Sequence, residues 1–195
     1  MEVGKYLIND INKFFWEYVR RFYILPISKV LGIMAVLIII WIILRVLRKS
    51  KCSIWKYFNI VLHILSVLFI IRMTLLGRKV GVRELELIPF YTLTTIRYNN
   101  EAIRTLLMNI ILFVPFGLTA PYMIDEKIKK EYLKWGICIL SAGVLSVLIE
   151  SLQYCFGLGR AEMDDVICNT LGGGLGVLAD VVGFWLNGRR QKQRI

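Results

Sequence analysis

Five stretches of the chain are apolar for about 20 residues at a time, the length at which a helix crosses a bilayer core. They run approximately over residues 24–44, 57–77, 105–124, 135–155 and 166–186. Inside lipid every backbone N–H and C=O must find a partner within its own segment or in a closed barrel, so apolar runs of this length specify helices. The expected fold is therefore all-α, an integral membrane helical bundle of about five transmembrane helices. Of the 195 residues 57% are hydrophobic, more than the roughly half-apolar make-up of a soluble domain, and the runs leave little length for one. The first run starts late and continues without a small-residue cleavage site, so it is expected to stay as an anchor rather than leave as a signal peptide.

The net charge of +11 invites a nucleic-acid reading. The basic residues, however, stand between the apolar runs and no nucleic-acid motif accompanies them, so membrane lipids with anionic headgroups are the expected partners and nucleic acid is not. Arg45, Arg48, Lys49, Lys51 and Lys56 follow the first run. Lys127, Lys129, Lys130 and Lys134 follow the third, and Arg189, Arg190, Lys192 and Arg194 the fifth. By the positive-inside rule those faces are cytoplasmic, which places the N-terminus outside and the C-terminus inside a cell membrane. Lys5, Lys13, Arg20, Arg21, Arg78, Lys79, Arg83 and Arg97 oppose that asymmetry, while Trp41, Trp55, Trp135 and Trp185 support it as an interfacial belt. Cys52, Cys138, Cys155 and Cys168 have neither zinc-site spacing nor disulfide density and read as free thiols.

Along the chain, residues 1–23 alternate Leu7, Ile11, Phe14, Phe15, Tyr18 and Phe22 with Lys5, Asp10, Lys13, Glu17, Arg20 and Arg21 at helical spacing. That pattern predicts an N-terminal interfacial amphipathic helix, which Pro26 ends. Residues 24–77 hold two spans of scaffold type, 80–187 a long connection and three spans, and 188–195 a basic tail. His63, the single histidine, is expected to bond to a neighbouring helix rather than hold a metal. The connection over 82–102 carries Leu85, Leu87, Ile88, Pro89, Phe90 and Tyr91 and should lie along the membrane surface without crossing it. In the third run Pro115 removes a backbone donor and frees the carbonyl one turn earlier.

Ionisable groups inside spans are costly and mark sites or pathways, which singles out Arg72, Glu150 and Asp180. Glu150 and Gln153 share a helix face with Gly143 and Ser146. Asp165, Asn169, Gly172, Gly176, Asp180 and Gly183 fall on one face of the last span, where Gly172 and Gly176 form a small-xxx-small pair suited to close helix packing. With the N-terminus outside, Arg72, Asn109, Glu150, Gln153, Asp165 and Asn169 all come near the outer surface. The loop 156–164 adds Arg160, Glu162 and Asp164. Two readings stand side by side: interior polar glue between helices, with Arg72 paired to Glu150, or an outward-facing pocket offering carboxylates to a metal or ammonium and arginines to a phosphate or carboxylate.

Three stretches together resemble the VanZ family, named for a membrane protein linked to teicoplanin resistance. They are Leu85-Glu86-Leu87-Ile88-Pro89-Phe90, then Asn109 to Gly117 with Pro115, then Glu150-Ser151-Leu152-Gln153 through Arg160, Asp164, Asp165, Asn169 and Gly172-Gly173. The resemblance covers roughly residues 80–185, so that 80–187 reads as a VanZ-like module with an external loop. The family pattern falls on Pro89, Asn109, Pro115, Gly117, Glu150, Gln153, Asp165, Asn169 and Gly172, while its usual asparagine before the Leu-x-Pro-Phe stretch is Glu86 here. What the resemblance implies is a membrane protein that lowers susceptibility to teicoplanin-like glycopeptides.

Three functions follow as expectations. The first is a binding or envelope-modifying protein whose outer-face site, built from Arg72, Asn109, Glu150, Gln153, Arg160, Asp164, Asp165 and Asn169, engages a lipid-linked cell-wall component or lipoglycopeptide. The second is an enzyme on a lipid-linked substrate with Glu150 or Asp165 as acid, base or ligand to a divalent ion. The third is a small transporter using Asp180 and the Pro115 break. No nucleophile-base pair, phosphate loop or metal-ligand motif is visible, so neither cofactor nor resident metal is implied.

Overall fold

The computed structural model describes residues 13, 17, 26–47, 53–76, 78, 80, 81, 83–95, 100–124, 128 and 130–192. The amphipathic segment expected over 1–23 lies outside these, apart from Lys13 and Glu17, which are helical. Cys52, the basic residues Arg48, Lys49, Lys51, Lys127, Lys129 and Arg97, and the tail residues 193–195 also lie outside them. The chain divides into two compact units, Met1–Ile40 and Trp41–Ile195.

Helix α1 (Ile27–Leu47) begins in the first unit and ends in the second. Within the first unit it leaves Leu31, Ile33, Val36, Leu37, Ile39 and Ile40 exposed, the surface of a helix made for lipid. The second unit continues with α2 (Ser53–Thr74), strand β1 (Glu84–Glu86), the short helix α3 (Tyr91–Thr95) and α4 (Asn100–Thr119), which a 3₁₀ turn (Ala120–Tyr122) extends. Then come α5 (Glu131–Phe156), strand β2 (Arg160–Glu162) and α6 (Met163–Lys192). Five segments are long and apolar enough to cross a membrane: Ser28–Leu47, Trp55–Thr74, Glu101–Tyr122, Glu131–Phe156 and Met163–Asn187.

Helix α6 is the centre of the second unit. It lies along α4 for most of its length and against α5 on another side, while α2 packs on α4. The close approach of α4 and α6 has a plain cause in sequence. A Cβ at Gly172 would overlap the backbone of Ile110, at Gly176 the backbone of Val114 and Gly117, and at Gly117 the backbone of Gly173. The two helices thus touch main chain to main chain, where membrane helices gain dispersion energy that side chains would block. Ile70, Phe113, Phe116, Ala120, Cys138, Ala142, Ile149 and Val177 fill the core around this pair.

Helix α4 continues through Pro115. One turn on, the Thr119 hydroxyl donates to the Pro115 carbonyl (2.8 Å), and His63 Nδ1 lies 3.0 Å from the same hydroxyl oxygen. The His63 ring thereby ties α2 to α4. Cys138, Cys155 and Cys168 are free thiols.

Two features depart from the sequence reading. By sequence Arg45 belongs to a basic cluster on the membrane face, yet it is buried and its guanidinium reaches the Asp180 carboxylate at 2.7 Å. Tyr122 joins them, its hydroxyl hydrogen-bonded to Arg45 and 3.0 Å from Asp180 Oδ1. Gly183 makes room for the Arg45 stem. Trp41, expected at the headgroups, is likewise buried and packs against Trp55, the ring centroids 5.4 Å apart and the planes tilted by 43°. An arginine at a span end can satisfy the positive-inside pattern or pair inward with a buried carboxylate, and the α6 aspartate draws it inward.

The second departure is a two-stranded parallel sheet. Glu84, Leu85 and Glu86 of β1 stand in register with Arg160, Ala161 and Glu162 of β2, so the segment after α2 is stitched to the loop between α5 and α6. Three-residue strands carry no alternation long enough to read from sequence.

Candidate functional site

The polar residues gather where this small sheet meets the ends of α2, α5 and α6. Helix α5 ends at Gly157, whose φ of 62° is left-handed and closes the helix with Leu158 N–H donating to the Gln153 carbonyl at 2.8 Å. The Gly157 carbonyl in turn accepts Gly81 N–H at 2.8 Å. The chain entering β1 and the chain leaving α5 are therefore fixed together, and they carry their charged residues with them.

Helical phase does the rest. On α5, Ser146, Glu150 and Gln153 face inward and are all buried. On α6, Asp165 and Asn169 stand one turn apart on the face that meets α4 and α5. The Asn109 amide donates to Asp165 Oδ1 (2.5 Å), the Asn169 amide to Ser146 Oγ (2.8 Å), and the Gln153 amide to the Thr74 carbonyl (3.1 Å). Glu150 Oε2 accepts the Glu162 backbone N–H at 3.1 Å. Glu150 and Asp165 are within electrostatic reach of each other, and the Arg78 guanidinium acts on both. Four helices and the β2 strand thus deliver groups to one patch.

Two of the sequence candidates sit at its edge. Arg72 donates to the Leu76 carbonyl just past the end of its own helix, at 3.2 Å. Arg160 is half exposed and reaches across the sheet to Glu84 at 2.7 Å, with Glu162 at 3.7 Å. The Glu84 carboxylate holds the Arg160 guanidinium above its usual pKa range, though a pair this exposed contributes about 0–1 kcal/mol.

Asp164 is buried with both carboxylate oxygens engaged: it accepts Phe90 N–H at 2.5 Å and Thr92 N–H at 2.8 Å. Phe90 has a φ of 63°, a left-handed conformation that costs a non-glycine residue roughly 1–2 kcal/mol. Asp164 therefore holds the Pro89 turn in its strained form. Glu86, standing where the family pattern has asparagine, accepts Ile88 N–H at 3.2 Å and performs the local turn-bonding that an asparagine side chain would. Asp164→Ala removes two charge-assisted hydrogen bonds of about 1.5–3 kcal/mol each, so amide hydrogen exchange at Phe90 and Thr92 is expected to accelerate at least tenfold. Unchanged exchange at both amides would show that the turn is held by something else.

The residues that sequence reasoning passed over are Arg78 and Thr74. Arg78 reads as one of many basic residues in a loop, and Thr74 contributes only its carbonyl, which leaves no side-chain signal. Gln153 Oε1 and Asn169 Oδ1 are buried without a hydrogen-bond partner among the described residues, and an orphaned buried acceptor costs about 1–3 kcal/mol. Among the described residues no group of three or more His, Cys, Asp or Glu side chains is arranged to hold a metal ion.

A family model described as VanZ/LLP1 matches residues 33–182, a wider span than residues 80–185 and one that takes in most of α1 and all of α2. Among curated proteins, Protein VanZ of Enterococcus faecium is 33% identical over 96 residues, 49% of this chain and 51% of that protein. The match thus spans about half the length of that relative. No solved structure matches. The family match contains every residue of the polar patch, and with its five apolar helices the chain is a membrane protein belonging to the VanZ/LLP1 family.

Proposed function

We propose that the polar patch faces the outer surface of a bacterial cell membrane, engages a lipid-linked cell-wall component or a lipoglycopeptide there, and so lowers susceptibility to teicoplanin-like glycopeptides. The observation that carries this reading is the pair of unsatisfied buried amide oxygens, Gln153 Oε1 and Asn169 Oδ1, standing one helical turn from Glu150 and Asp165. A purely architectural network would be expected to close its own hydrogen bonds. Leu85, Leu87, Ile88 and Phe90 are exposed on the connection beside the patch, a surface suited to the headgroup region where a lipid-anchored ligand would present itself. The N-terminus is outside in this reading, which follows the basic clusters after the first, third and fifth spans.

Expression in a glycopeptide-susceptible bacterium tests it. Teicoplanin inhibition is expected to require at least a fourfold higher concentration with the parental chain than with empty vector, and Glu150→Gln or Asp165→Asn is expected to return the cells to the vector level at equal protein abundance. Equal sensitivity of all strains rejects the reading. With the four native cysteines replaced by serine, a cysteine introduced at exposed Val80 should react with an impermeant maleimide on intact cells; protection there, with labelling after permeabilisation, reverses the orientation.

The proximity of buried Glu150 to partly buried Asp165 favours a second reading, an enzyme in which one of the two donates a proton and the other accepts one on a lipid-linked substrate. Turnover of a labelled envelope lipid, lost in Glu150→Gln, would distinguish it from binding alone. A transporter has less to build on: Asp180 is taken up by Arg45, and α4 is unbroken at Pro115.

A further inference from the structure

The unsatisfied groups of the patch select the chemistry of its ligand. Thr74 offers a backbone carbonyl, which only accepts, so the Gln153 amide must turn its NH2 toward it and its oxygen the other way. Asp165 fixes Asn109 by the same logic, taking the amide NH2 on Oδ1. What remains to meet a ligand is Gln153 Oε1, Asn169 Oδ1 and the second oxygens of Glu150 and Asp165. The oxygens of Gln153 and Asn169 are buried and lack partners among the described residues. Gln153 is three residues from Glu150 on one face of α5, and Asn169 four from Asp165 on one face of α6, so each orphan oxygen stands a turn from a carboxylate. Every one of these groups is a hydrogen-bond acceptor.

Open acceptors with carboxylates among them select a positively charged donor. We propose, resting on the functional reading above, that the patch binds a primary ammonium group, carried by a lipid headgroup or by an amine-bearing envelope component. A primary ammonium has three N–H donors to give to such acceptors, whereas a quaternary ammonium has the charge but no N–H to give. Phosphate or carboxylate ligands are disfavoured, because they would bring further acceptors and negative charge to an already acidic lining. Arg78 stands beside these groups. Its guanidinium acts on both Glu150 and Asp165 from an exposed position beside Gly159, so it supplies the positive charge of the resting patch and is the group that an incoming ammonium displaces.

The test uses the full chain purified in detergent and offered an equal mixture of phosphatidylethanolamine and phosphatidylcholine, with bound lipid read by native mass spectrometry. In a parallel arm, thermal unfolding is measured with N-acetyl-lysine methylamide whose ε-amine is free or acetylated. At least fivefold enrichment of the ethanolamine lipid supports a headgroup source. Stabilisation by the free but not the acetylated lysine derivative, without lipid enrichment, supports an envelope-component source. Either selectivity should fall to near one in Gln153→Met, with Asp165→Asn as the second variant if the first does not purify as a monodisperse protein, and should rise in Arg78→Gln. Absence of both selectivities, or stabilisation by calcium ions alone, overturns the proposal. If amine selectivity is absent while teicoplanin protection is present, the inference fails and the functional reading stands; the opposite pair of results removes the functional reading and leaves the ammonium site.

Discussion

Replacing Gly176 by leucine should leave no monodisperse protein after extraction into mild detergent, whereas Gly174→Ala, two positions away in the same glycine-rich run, should purify at the parental yield. The contrast comes from what a side chain would meet. At Gly176 the first carbon already overlaps the main chain of Val114 and Gly117, while at Gly174 nothing lies within 4 Å. Overpacking a core commonly costs about 1–3 kcal/mol because side chains can shift. Here the obstacle is a helix backbone, so relief requires α4 and α6 to separate along most of their shared length. The Gly174 substitution, by contrast, gains about 1 kcal/mol of helix propensity with no contact to lose. Normal folding of Gly176→Leu would mean that the two helices do not meet main chain to main chain.

Asp180→Leu is expected to destabilise the protein by about 3–5 kcal/mol, the loss seen when one partner of a buried ion pair is removed and the other charge is left in a low-dielectric interior. Arg45 has no inexpensive alternative, since its side chain is 7% exposed and lies between Tyr122 and Phe184. The double substitution Arg45→Met with Asp180→Leu should recover most of that loss, because it also removes the stranded charge. Denaturant or thermal unfolding of the three variants in one detergent checks this. If the double variant is no more stable than Asp180→Leu alone, the two residues are not coupled. A mild effect of Asp180→Leu would indicate that Arg45 finds water once released.

How much of this could be read from the chain depends on the range of the interaction. Five spans were legible because hydropathy is summed over neighbours, and the helix ends fall within a few residues of the apolar runs. The shared faces of Glu150 with Gln153 and of Asp165 with Asn169 were legible for the same reason, helical phase being a local property. The partners were not. Asn109 meets Asp165 across 56 residues, Asp164 meets Phe90 across 74, and Arg45 meets Asp180 across 135. Arg45 shows the difficulty best: an arginine at the end of a span carries the positive-inside signal whether it faces headgroups or a buried aspartate. Trp41 misleads in the same way, since an indole at that depth suits either the interface or the interior. The parallel strands leave no trace because three residues show no period, and the Glu86 turn was obscured because glutamate replaces the residue type usually read as a turn former.

The pairing of β1 with β2 bears on how such a protein is made. Glu84 and Arg160 are in register although two helices long enough to cross a membrane separate them in the chain. During vectorial synthesis the first strand is finished long before the second exists, so its edge must wait unpaired through the insertion of α4 and α5. The patch around Glu150 and Asp165 cannot be assembled until the start of α6 has also been delivered. Maturation of the site is thereby placed at the close of biogenesis, and a chain halted after α5 would carry its anchors into the membrane with the polar end still unbuilt.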